Sequence, residues 1–254
     1  MGSVQVGVTV EGRPGVGRRT IETALRRRGV HVVAAAPDVR VRVVAEALKP
    51  EDVVDEATIV VQTKADLTAT TCGLRVVGLL ALVDRFDDAE FDALRVLVDH
   101  PADMTSVDAF VTCAHRVPPE VRQRLLARLD RFGIAHAVLA VSGGAEAAAV
   151  AARLRKLSNI DAVLAGIDVL AAPVRYRRVV ENTCRADVFE RMTAAVAVVE
   201  AAGVLVDRGE RPADHRRRAL HWARYARGPV TALHRACAAD IVRGSLRLLD
   251  GTVP

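Results

Sequence analysis

Val8-Thr9-Val10-Glu11-Gly12-Arg13-Pro14-Gly15-Val16-Gly17-Arg18-Arg19-Thr20 is the stretch on which the reading of this chain turns. A short valine-rich run passes into a glycine-rich loop and then into a helix-forming segment, the order of parts that builds a phosphate-binding loop. Glycines at 12, 15 and 17 let backbone N–H groups turn inward around an anion, with the positive end of the following helix facing it. In the preferred register Arg18 stands in the slot that the pattern gives to lysine. Arg19 then stands where a Ser or Thr would hold Mg²⁺, and a guanidinium pairs with phosphate but cannot ligate a metal. Sliding the register by one residue makes Arg19 the cation and Thr20 the hydroxyl, but it puts Arg18 where the loop needs a glycine.

On either side of this loop the pattern alternates strand and helix. Val4 to Val10 reads as a buried strand and Thr20 to Arg28 as a helix ending at Gly29, with Ile21, Ala24 and Leu25 on one face. Val30 to Ala35 and Val39 to Val44 read as two more strands. Thr58 to Val61 is another, and its end carries Gln62-Thr63-Lys64-Ala65-Asp66-Leu67.

That last stretch, downstream of a glycine-rich phosphate loop, resembles the guanine-specificity motif of P-loop GTPases, with Thr63 in the slot usually held by Asn. The resemblance implies that Asp66 accepts two hydrogen bonds from the guanine edge while the Lys64 stem lies over the ring. It also implies that Gly78-Leu79, after a strand over Leu74 to Val77, brings a backbone N–H to the guanine oxygen. Adenine would leave the carboxylate unpaired, at about 1–3 kcal/mol. The chain has three lysines, Lys49, Lys64 and Lys156, and one of them falls in this slot.

The resemblance covers about the first 100 residues, closing with a helix over Phe86 to Val98, and parts of the family pattern are missing. Between Thr20 and Thr63 there is no Asp-x-x-Gly to sense a γ-phosphate. The one Asp-x-x-Gly in the chain, Asp130-Arg131-Phe132-Gly133, reads instead as a helix terminus with Gly133 as its C-cap. No catalytic residue and no metal ligand is therefore assigned. The expected ligand is GDP or GTP held without magnesium, or none.

Farther on, Pro118-Pro119-Glu120 opens a helix to Phe132, Ile134 to Val141 reads as a strand, and Gly143-Gly144 leads into an alanine-rich helix to Leu157. Helices are then expected at Asp161–Leu170, Val174–Glu181, Ala186–Ala202, Asp214–Arg227 and Pro229–Leu249, with Pro229 in a first turn. The fold expected is α/β: a mostly parallel sheet of P-loop GTPase type over residues 1–157, followed by an α-helical module over 158–254.

The 254 residues are 51% hydrophobic and carry a net charge of +5, almost wholly from arginine. Aromatic residues make up 3%, too few for the stacking platforms of single-strand nucleic-acid binders. The cysteines, Cys72, Cys113, Cys184 and Cys237, are far apart and read as reduced thiols. No run approaches the ~20 apolar residues of a membrane span and the N-terminus shows no signal core, so the expected location is cytoplasmic.

Arg211, Arg216, Arg217, Arg218, Arg224, Arg227, Arg235, Arg243 and Arg247 face only Asp214 and Asp240 in the last helices. These readings point first to a degenerate, regulatory GTPase-like protein whose partner is another protein, a true GTPase of similar fold or a second copy of itself. Two alternatives stay open. One is an active GTPase completed by a partner; the other is a nucleic-acid or anionic-membrane binder acting through Arg216, Arg217, Arg218, Arg224 and Arg227.

Overall fold

The computed structural model describes residues 5–64, 71–181 and 187–251. Asp66, the expected reader of the base, and Cys184 lie outside the described residues. The chain is α/β, with a four-stranded parallel sheet in the order β1-β2-β3-β4. The strands are β1 (Val8–Gly12), β2 (Val39–Val44), β3 (Thr58–Gln62) and β4 (Leu74–Arg75). Val8, Thr9 and Val10 are all buried, as a strand covered on both faces requires. In β2 the buried Val39, Val41 and Val43 alternate with Arg40 and Arg42, and Arg42 is held by Glu11 of β1 at 2.6 Å. Val43 lies opposite Val61 and Gln62 opposite Arg75, which fixes the register toward the carboxyl ends of the strands.

The expected strand at Val30 to Ala35 is reduced to a single parallel bridge, Val8 to Val32. Helix α1 (Arg18–Arg27) buries the expected face of Ile21, Ala24 and Leu25. The two larger side chains each contribute about 1.5–3 kcal/mol by leaving water. After β4 come a 3-10 turn at Leu80–Leu82, α2 (Asp88–Asp99), a short α3 (Val107–Thr112), α4 (Pro119–Ser142) and α5 (Ala147–Ser158). Helix α2 starts in a capping box between Asp87 and Glu90.

Helix α4 overturns two expectations. Ile134 to Val141 is helix, not strand: Ile134, Ala137 and Ala140 are its buried positions, three residues apart. A short apolar run fits either period, and here neighbouring helices rather than a sheet cover it. Gly133 is not a C-cap either. It lies inside the helix, where a Cβ would stand 2.6 Å from Leu80 Cδ2. The break falls at Asp130 instead, with φ 57° and ψ 174°.

The helices that follow are α6 (Ile160–Glu181), α7 (Val188–Ala201), α8 (Pro212–Tyr225) and α9 (Ala232–Leu249). Helix α6 runs unbroken through Pro173, so the two helices expected there are one. Pro229 precedes the Thr231 N-cap of α9 and is not in its first turn. Among the described residues no single helix is long and apolar enough to cross a membrane.

The chain divides into two compact units, each with its own apolar core. One comprises Val8–Ala34 and Arg40–Leu164, and in it Leu80, Phe91, Leu94, Phe110, Leu125 and Leu154 pack together. The other comprises Met1–Gly7, Ala35–Val39 and Ala165–Pro254, and its core holds Tyr176, Val199, Trp222, Cys237 and Ile241. In this helical unit Arg178 donates to Asp38 at 2.7 Å and to the Gln5 carbonyl at 2.5 Å. The Gly7 N–H in turn reaches Asp38 at 2.8 Å.

Candidate functional site

Parallel strands deliver their carboxyl ends to one edge of a sheet, where ligands of open α/β folds bind. In this unit that edge carries the loop after β1, Thr63-Lys64 after β3 and Val76 to Leu79 after β4. Between them lies a cavity of about 230 Å³, lined by Gly17, Thr20, Thr63, Lys64, Val77, Gly78 and Leu79 from these segments, and by Leu129, Asp130 and Phe132 from α4.

Gly15 and Gly17 hold φ of 82° and 81°, and Gly17 is the left-handed N-cap from which α1 starts at Arg18. The helix therefore begins where the preferred register puts the cation. Gly12 is required by close approach, since a Cβ there would meet the Val43 carbonyl oxygen at 2.7 Å. Among the described residues no acceptor is found for the backbone N–H groups of Gly15, Val16, Gly17, Arg18 or Arg19. A helix start with this many open N–H groups offers donors that an anion can take up.

The charge around it agrees. Arg18 and Arg19 are exposed, have no ion partner among the described residues, and share a first turn that holds no acidic residue. A cation at the positive end of a helix is unfavourable by about 0.3–1 kcal/mol, and a bound anion reverses that sign. Arg13 is drawn away instead, to Glu51 at 3.2 Å and Asp52 at 3.3 Å.

Thr63 is buried and its hydroxyl donates to the Val16 carbonyl at 2.6 Å. Its backbone N–H reaches Val44 at 2.9 Å. Its side chain thus ties the end of β3 to the glycine loop and is not free to contact a base. Lys64 is exposed with φ 53°. A Cβ on Gly78 would lie 3.4 Å from Thr20 Cγ2, so the loop after β4 stands against the first turn of α1. Among the described residues the N–H groups of Gly78 and Leu79 have no acceptor.

The structure thus brings Gly17, Thr20, Thr63, Lys64, Gly78 and Leu79 to one cavity, and it places Gly12 at the end of β1, Gly15 on the loop that follows, and Arg18 and Arg19 in the first turn of α1. Asp130 was missed. The signal that would have found it is the Asp-x-x-Gly itself, set aside as a helix end. Among the described residues no group of three or more His, Cys, Asp or Glu side chains is placed to hold a metal ion. The open N–H groups and the two exposed arginines suit an anion such as a phosphate.

In the helical unit much of the arginine surface is engaged internally. Arg218 is buried and donates to Ser245 at 2.9 Å, to the carbonyls of Asp207 and Gly209, and to His215. Arg211 and Arg217 bracket Asp214 and hold its carboxyl down at about 2. Burial works against the charge on Asp240, but hydrogen bonds from Arg243 and Tyr176 bring it below the usual range. Arg216, Arg224 and Arg227 remain exposed. Trp222 is core, packed edge-on to Tyr225 at 4.8 Å, and His234 bonds the Tyr225 hydroxyl.

Comparison with family models, curated proteins and solved structures returns no match.

Proposed function

We propose that the sheet unit is a degenerate P-loop GTPase-like domain that binds a guanine nucleotide weakly, does not hydrolyse it efficiently, and acts by engaging a protein partner. The observation that carries this reading is the convergence of the glycine loop, Thr63-Lys64 and Gly78-Leu79 on one cavity. These segments lie far apart in the chain and were selected from sequence as parts of one ligand site.

In this reading the phosphates rest on the N–H groups of residues 15–19 with Arg18 and Arg19 beside them, and the ring enters the cavity next to Lys64. The cavity of about 230 Å³ falls below the ~300–1,000 Å³ that encloses a whole drug-sized ligand. Partial cover of this kind agrees with weak binding. Hydrolysis asks for a metal bridging the β and γ phosphates and a group that positions water. Arg19 replaces the metal-binding hydroxyl, and the segment between α1 and Thr63 carries no Asp-x-x-Gly. A partner surface is suggested by Leu48, Val53 and Val54, three exposed apolar side chains within seven residues of the β2–β3 connection.

Calorimetry with GDP, GTP and ATP, with and without Mg²⁺, tests the binding. GDP and GTP are expected to bind with similar affinity in either condition and ATP more weakly. Single-turnover assays are expected to show no hydrolysis above buffer. Magnesium-dependent turnover that Gly17→Ala abolishes would overturn the reading, as would a preference for ATP.

A further inference from the structure

The break in α4 brings to the cavity a residue outside the expected set. Asp130 holds φ 57° and ψ 174°, a region that is essentially reserved for glycine and that persists only where the surroundings impose it. They do so here from both sides. Arg128 is anchored on Glu90 and the Arg85 carbonyl, and Arg131 on the carbonyls of Met104 and Thr105. The Asp130 carboxylate uses Oδ1 to accept the Arg131 N–H at 2.6 Å. Among the described residues nothing donates to Oδ2, and no Lys or Arg pairs with the group. Gly78 and Leu79, whose N–H groups have no acceptor among the described residues, line the same cavity, as do Phe132 and Lys64.

We propose that Asp130 reads the edge of the ligand's ring. A carboxylate only accepts, and a backbone N–H only donates. The complementary edge has two adjacent N–H donors beside a carbonyl oxygen, which guanine presents and adenine does not. Asp130 takes the donors, and the Gly78 or Leu79 N–H meets the oxygen. This deepens the nucleotide reading above and rests on it. It gives the discrimination to α4, a helix that neither the glycine loop nor the Thr-Lys-x-Asp stretch touches in sequence.

The test is calorimetry of GDP, XDP and ADP on the whole chain and on Asp130→Asn, Asp130→Gly and Asp66→Asn. Asn tolerates positive φ, and its amide supplies one donor and one acceptor, which suits the N–H and 2-oxo group of xanthine. Asp130→Asn is expected to weaken GDP by about 10- to 100-fold, the value of a charged hydrogen bond, and to gain XDP. Asp130→Gly, which suits the backbone, is expected to lose GDP without gaining XDP while melting no lower than the unaltered chain. The proposal falls if Asp130→Asn binds GDP unchanged, if it loses GDP with no gain of XDP, or if the switch to XDP follows Asp66→Asn instead. Failure of the unaltered chain to bind GDP at all overturns the nucleotide reading as well, so the two failures are distinguishable.

Discussion

Asp130 and Gly17 both have positive φ beside the same cavity, but they carry it at different energetic cost. Glycine meets it freely, whereas the conformation of Asp130 costs about 1–3 kcal/mol. Replacing Asp130 by Gly relieves that strain and gives back roughly 0.5–1 kcal/mol in chain entropy. A net gain of about 1 kcal/mol in unfolding free energy is expected, read by urea denaturation. Gly17→Ala runs the other way. A methyl group in the left-handed region costs about 1–2 kcal/mol, and the altered loop should lose nucleotide and inorganic phosphate alike. Thr63→Val removes the hydroxyl that holds the Val16 carbonyl and leaves a buried acceptor unpaired, for about 1–3 kcal/mol of lost stability.

At the scale of elements, α1 is a helix whose first turn carries the wrong charges for its own stability. Arg18→Glu with Arg19→Glu should raise the melting temperature in anion-free buffer, at about 0.3–1 kcal/mol per site, and abolish phosphate binding. A fall in melting temperature would mean that the two arginines serve the fold and not a ligand.

The elements also differ in how plainly the sequence announces them. Strands β1, β2 and β3 were readable as valine- or isoleucine-rich runs of five or six residues, β1 with three buried residues in succession and β2 with buried valines alternating with arginines, whereas β4 is only two residues long. The helical module was readable from its 3.6-residue period. Ile134 to Val141 was not, because seven apolar residues interrupted only by His136 satisfy either period and only the surrounding helices decide. The cavity was half legible. Glycines in a loop and a rare lysine stand out in a chain built from alanine, valine, leucine and arginine. Asp130 did not stand out, because its place at the cavity depends on a backbone break flanked by Arg128 and Arg131, whose partners lie about 25 to 40 residues away.

At the scale of the whole molecule, pH should act on the helical unit through Asp214. Its folded-state carboxyl is depressed to about 2 from 3.8, so it adds stability that is complete above pH 3.8 and lost as pH falls through 2. Asp214→Asn should flatten the acid limb of the unfolding curve between pH 4 and 2. A chain cut after Leu157 would lose the Ser158 carbonyl that accepts Val77 N–H and the Asn159 amide that donates to Arg75. It would also lose the buried Ile160 and Val163. Such a fragment is expected to melt well below the unit that extends through Leu164, as followed by circular dichroism.

The bonds from Arg178 to Asp38 and to the Gln5 carbonyl set an order of events during synthesis. The sheet unit is complete once residue 164 has left the ribosome. Residues 5–7 and 35–39 can bond to each other through Gly7 and Asp38, but they must wait for Arg178 to emerge before α6 holds them, and for the last helices before their unit can close. Between the emergence of residue 39 and that of Arg178 the nascent chain therefore carries two paired segments whose helical support has not yet been made.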